Sequence, residues 1–225
     1  MALFLVVVFT ACKQNAKETT EETETVVVEE TTPTGYKIGD EATDFSLKNV
    51  DGKMVSLADY PDAKGFIIAF TCNHCPYSIA YEDRIIALDA KYKPLGYPVI
   101  AINPIDPAVN EDDSFDNMVV RMKANNFPWL YLYDETQEIA LAYGALRTPH
   151  FYVFNENRKL VYTGRAVDSP RDPSKISIND LENALEELLA DKPISVDVTN
   201  PIGCNVKWDG KDAHWMPADA CDLVF

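Results

Sequence analysis

From Gly35 onward the apolar pattern changes period again and again, which excludes a helical bundle or an all-strand sandwich and leaves an α/β domain. "ATDFSLKNVDGKMVSLADY" holds two short extended pieces about Asp51-Gly52, a strong hairpin dipeptide. "KGFIIAF" is a continuous apolar run, as a strand buried on both faces requires. A helix is predicted from about Asn73 to Tyr92, with Pro76 tolerated in its first turn. "PVIAIN" (98–103) reads as the next buried strand, 113–126 as a helix with an Asp/Ser cap, and "WLYLYD" (129–134) as a strand. Residues 135–144 form a short helix stopped by Gly144, "HFYVFN" and "KLVYTGR" flank Glu156-Asn157-Arg158 as a hairpin, and 177–190 is the last helix. No internal repeat is visible.

Charge narrows the partners. Twenty Lys and Arg against 36 Asp and Glu give a formal charge of −16, which phosphate backbones would repel, so nucleic acid is excluded as a partner. The opening "MALFLVVVFTAC" carries an apolar segment of signal-peptide length, too short to span a bilayer. It resembles a bacterial lipoprotein signal, in which small residues precede a lipid-bearing cysteine, here Thr10 and Ala11 before Cys12. A plain signal peptide is the alternative. The Thr/Glu-rich stretch that follows has too little apolar content for a core and reads as a disordered tether. The expected divisions are a signal segment (1–12), an acidic tether (13–34), an α/β domain (35–192) and a C-terminal extension (193–225) packed on it. Exported protein in the cell envelope or periplasm, held to a membrane through Cys12, is the localisation these features predict.

Lipid on Cys12 leaves four cysteines, Cys72, Cys75, Cys204 and Cys221. An exported chain permits disulfides, and spacing suggests Cys72 with Cys75 and Cys204 with Cys221, other connectivities staying open.

A buried strand running into "TCNHCPYSIAYEDRI", then "INPIDP", "LYDETQEIALAYGALRTPHFYVF", "KLVYTGR" and "PIGCNVKW", resembles the thioredoxin fold, and within it redoxin proteins of the alkyl hydroperoxide reductase/thiol-specific antioxidant group. The resemblance spans 35–208. It implies a central mixed sheet flanked by helices, an N-terminal β-hairpin, and thiol–disulfide exchange with protein thiols or disulfides and a redox partner protein, without cofactor or metal. A cysteine at a helix amino terminus is drawn toward the thiolate by unpaired N–H groups. Cys72 is therefore expected as the exposed attacking sulfur and Cys75, one turn on, as the resolving one. Asn73 and His74 between them would tune the potential, His74 by a hydrogen bond to the Cys72 sulfur or by its charge. Thr148-Pro149 matches the family's cis-proline loop, which offers backbone groups to an extended substrate. Arg147 places a cation nearby.

Three other chemistries compete. Zinc needs about four ligands, and only Cys72 and Cys75 have ligand spacing. A copper-binding chaperone of this fold would use Cys72, Cys75 and His150. A peroxiredoxin-like thiol peroxidase would carry Pro-x-x-x-Thr-x-x-Cys, but Gly65 and Ala69 stand in those places before Cys72, and Ile68 and Cys72 before Cys75. Glu111, Asp112, Asp113 and Asp116 read as acids complementing a helix dipole. In the tail, a Cys204–Cys221 disulfide is expected as a structural staple of roughly 3 kcal/mol, with a second redox pair as the functional alternative. For the amino terminus, the native protein should partition with membranes and incorporate lipid, and Cys12→Ala should abolish the acylation. A soluble mature chain retaining residues 1–12 contradicts the anchor.

Overall fold

The computed structural model describes residues 35–208. The signal segment with Cys12, the acidic tether, and the tail from residue 209 with Cys221 lie outside the described residues.

Alternation along the central strands builds two cores. In β3 (Phe66–Phe70) and β4 (Val99–Asn103) every residue is buried, because a strand covered on both faces has no solvent side. Successive side chains point to opposite faces. Ile67, Ala69, Val99 and Ala101 therefore enter one core, and Phe66, Ile68, Phe70, Ile100 and Ile102 the other. α1 (Pro76–Tyr92), α2 (Phe115–Asn125) and α4 (Asp180–Leu189) contribute to the first core through Tyr81, Ile85, Met118, Leu181 and Leu185. α3 (Glu138–Tyr143) contributes to the second through Ala140 and Tyr143.

The sheet adds the hairpin β1 (Leu47–Asn49) and β2 (Met54–Val55), then β5 (Leu130–Tyr133), β7 (His150–Phe154) and β8 (Leu160–Gly164), in the order β2-β1-β5-β4-β3-β7-β8. β3, β4 and β5 run parallel, whereas β1 pairs with β5, and β7 with β3 and β8, antiparallel. This is the thioredoxin-like α/β fold, a mixed sheet flanked by helices with an N-terminal hairpin. A second, two-stranded sheet, unforeseen in the sequence, pairs β6 (Arg147–Thr148) with β9 (Cys204–Asn205).

Helix boundaries differ from expectation for local reasons. The first helix begins at Pro76 and not at Asn73, because the residue before a proline is pushed out of the helical region; Cys75 is extended, with φ −70° and ψ 123°. α3 begins at Glu138 after Gln137 at φ 60°, and α4 at Asp180, because the Ser177 and Ile178 N–H groups are held by the Asp168 carboxylate. Part of the expected extension lies on the domain: Thr163 N–H donates to Asp197 O at 2.9 Å, and Val206 N–H to Leu146 O at 3.1 Å.

One tight contact helps to hold the first residues of the domain. Gly35 and Gly144 both have positive φ, +73° and +69°, and a Cβ on Gly144 would stand 2.5 Å from the Gly35 Cα. Gly144→Ala meets both strain and clash, so it should lower unfolding free energy by more than about 1 kcal/mol in urea titrations. A midpoint equal to that of the parent chain contradicts this packing.

Candidate active site

At the carboxyl end of β3 the chain passes through Thr71–Cys75 before α1 begins, and Asn73 pins that passage. Its backbone N–H donates to Asp113 Oδ1 at 2.5 Å, its Nδ2 donates to Asp112 O at 2.7 Å, and its Oδ1 accepts from Tyr131 Oη at 2.8 Å. Asp113 is fully buried, accepts from Asn103 Nδ2 at 3.2 Å, and is bonded to His74 Nδ1. A carboxylate removed from water in this way keeps company with donors on every side.

Thr148 receives both thiols. Cys72 Sγ donates to Thr148 Oγ1 at 3.2 Å and lies 3.8 Å from Ser78 Oγ, while Cys75 Sγ lies 3.2 Å from Thr148 O, to which its thiol form donates. The Thr148–Pro149 peptide is cis, and Thr148 has no exposure. The three thiols share one cluster, in which Cys72 and Cys75 act on each other's ionisation and Cys204 acts on that of Cys75. The place of Cys204 there follows from the small sheet, where it stands opposite Thr148.

The ionisation of the pair is set by these neighbours. Cys75 is pushed down to about 4, first by the hydrogen bond from Cys72, against the opposing effect of burial, with further help from Cys204 and the Ser78 N–H. Cys75 is the N-cap of α1, where the helix end favours negative charge. Cys72 is driven far above the thiol range by its hydrogen bond to Cys75, by burial and by the nearby Asp113 carboxylate. A single negative charge, held mainly at Cys75, thus belongs to the pair.

Several expectations change. Cys72 is 2% exposed and Cys75 fully buried, so neither is the exposed sulfur anticipated, because the segment around Cys204 and Val206 packs into the same cluster. The amino end of α1 falls at Cys75, not Cys72. His74 gives its Nδ1 to Asp113 in place of the predicted bond to the Cys72 sulfur. Arg147 is buried beside β9, and its charge acts on Cys204 and His150. His150, which a copper site with Cys72 and Cys75 would need, is turned to other partners. Its Nδ1 accepts from Leu146 N–H at 3.3 Å and contacts Tyr152 Oη at 3.1 Å, and Nε2 meets Thr163 Oγ1 at 3.0 Å. Burial, then the Arg147 charge, lowers it to about 3. Potential metal-ligating atoms of Cys72, His74 and Asp113 do lie within 4.8 Å of one another, but the Asp113 carboxylate is occupied by Asn73, Asn103 and His74.

Residues 37–185 match the family model described as Redoxin. The chain belongs to the Redoxin family. A conserved protein of Geobacillus kaustophilus has 36% identity over 79% of this chain and 95% of its own, with a TM-score of 0.73. A protein of Sinorhizobium meliloti has 30% identity over 79% and 97%, with the same TM-score of 0.73. The thioredoxin domain of a thiol-disulfide oxidoreductase from Bacteroides vulgatus shares the fold, at 16% identity, 69% and 99% coverage, and a TM-score of 0.52. No curated protein matches the chain. Membership makes this redoxin an oxidoreductase in the broad sense.

Asp113, Ser78 and Tyr131 are site residues to which no sequence motif points, and Cys204, expected as half of a structural staple, joins them. Asp113 lies in an acidic run whose other members are exposed, so the sequence alone does not single it out. In the reduced protein, thiolate absorbance should persist as pH falls and vanish only near pH 4, the value of about 4 held by Cys75. A thiol of ordinary pKa, ~8.5, would lose it about four pH units earlier. Cys75→Ser should remove the acid-resistant thiolate; absorbance that appears only above about pH 8 in the parent contradicts this electrostatic account.

Proposed function

We propose that this redoxin is an exported thiol–disulfide oxidoreductase that exchanges disulfides with protein substrates through Cys72 and Cys75. The observation that carries the reading is the pair of sulfurs at the head of α1, both against Thr148 of the proline loop. In the reducing direction, the Cys72 sulfur attacks one sulfur of a client disulfide. The Cys72–client bond forms, the client bond breaks, and the second client sulfur leaves as a thiolate. The Cys72 proton moves across its hydrogen bond to Cys75 during the attack and goes on to the departing sulfur. Cys75 thiolate then attacks Cys72 Sγ, forming the Cys72–Cys75 disulfide and releasing the first client sulfur as a thiolate that takes its proton from solvent. Two electrons pass from the dithiol to the client, and a redox partner protein restores the dithiol.

Asn73 and His74 are positioning residues in this scheme. Through Asp113 they hold the loop that presents Cys72. For the proline loop formed by Thr148 and Pro149 to receive an extended client, β9 (Cys204–Asn205) must give up its pairing with β6. Membrane attachment through Cys12 rests on the signal-like amino terminus alone and would place the exchange in the cell envelope.

Trapping tests the division of labour. Cys75→Ser should accumulate mixed disulfides with client proteins that reductant releases, whereas Cys72→Ser should accumulate almost none, and either change should abolish turnover of a disulfide substrate such as insulin. Equal trapping by both variants overturns the roles, and full turnover by either overturns the reaction.

A further inference from the structure

β9 lies along the proline loop. It pairs antiparallel with β6, with Cys204 opposite Thr148 and Asn205 opposite Arg147. The approach is close: a Cβ on Gly203 would stand 2.2 Å from Thr148 O and 3.0 Å from Pro149 N, so only glycine lets this strand lie flush on the loop. Gln137 Nε2 donates to Lys207 O at 2.7 Å and to Pro104 O at 2.6 Å, and Val206 is buried, so the segment is seated after Cys204 as well as before it at Gly203. Of the three clustered thiols, Cys72 and Cys75 are buried while Cys204 is partly exposed. Cys204 is the least buried of the three.

We infer that Cys204 is a third redox group, an internal substrate thiol that takes over the disulfide from Cys72–Cys75 through direct exchange at Cys75. The step rests on the dithiol chemistry proposed above. Cys204 thiolate attacks Cys75 Sγ of the oxidised pair; the Cys75–Cys204 bond forms, the Cys72–Cys75 bond breaks, and Cys72 leaves as a thiolate that takes up the proton Cys204 gave away. No electrons enter or leave, and the disulfide moves to the partly exposed edge.

The charges favour this step in the oxidised state in particular. In the reduced protein burial, first, and then the hydrogen bond to Cys75 and its negative charge push Cys204 up to about 12, while Lys207 and Arg147 pull it down. Forming Cys72–Cys75 removes the charge on Cys75 and with it two of the groups of forces that keep Cys204 protonated. The two cations remain. Oxidation of the pair therefore arms the third sulfur against it.

The structure describes Cys204 as a free thiol against Cys75, and the expected partner Cys221 lies outside the described residues. The test uses the full chain carrying Cys72→Ser and Cys221→Ser, oxidised with diamide as a monomer and mapped by non-reducing proteolysis and mass spectrometry. The expected result is a Cys75–Cys204 disulfide, with loss of both thiols from alkylation in a chain whose far-ultraviolet dichroism is unchanged. In parallel, the partly oxidised parent chain should contain both Cys72–Cys75 and Cys75–Cys204 peptides. A partly oxidised parent chain that yields the Cys72–Cys75 peptide and no Cys75–Cys204 peptide overturns the inference and leaves the dithiol reading standing. A parent chain that forms no Cys72–Cys75 disulfide overturns that reading, and with it the transfer step.

Discussion

Thr148 is the point on which three parts of this protein converge. Its hydroxyl accepts from Cys72, its carbonyl lies at Cys75, and its backbone pairs with Cys204. The two cysteines come from one loop and Cys204 from β9, and Thr148 meets the loop because β3 and β7 are neighbours in register, with Phe70 opposite His150. That register puts the strand carrying the cysteines beside the loop that receives them. The two cores fix the register, because sliding β3 by one residue would exchange the faces of Phe66, Ile68 and Phe70 with those of Ile67 and Ala69.

Asp113 supplies the counterweight. A buried carboxylate near the dithiol opposes thiolate at Cys72, while the helix end and its N–H groups favour it at Cys75. The same carboxylate holds the Asn73 N–H, so the group that sets the charge distribution also sets the geometry. Positioning and electrostatics are not separable at this site. A substitution at Asp113 would move both, which is why the ionisation of the pair is better followed through the cysteines themselves.

Much of this was legible in the chain before folding. Continuous apolar runs identified β3 and β4 because strands covered on both faces can contain little else, and Asp51-Gly52 marked the first turn, where Gly52 has φ +87°. The start of α1 was misplaced because Pro76 was read as tolerated inside the first turn, when its stronger effect is to hold Cys75 extended. Asp113 looked like its exposed neighbours Glu111 and Asp112. Its burial comes from contacts with Asn73 and Asn103, which no local pattern reports. The approach of Cys204 was equally hidden: a two-residue strand has no periodicity to detect, and its pairing partner β6 is no longer.

The most direct test equilibrates the full chain in graded thiol–disulfide buffers and follows the Cys72–Cys75 peptide by mass. A stabilised thiolate favours the dithiol form, so the pair should oxidise in a single two-electron transition at a potential above the roughly −270 mV of thioredoxin. Cys72 and Cys75 that remain alkylatable in buffers oxidising enough to close ordinary protein disulfides would contradict the account.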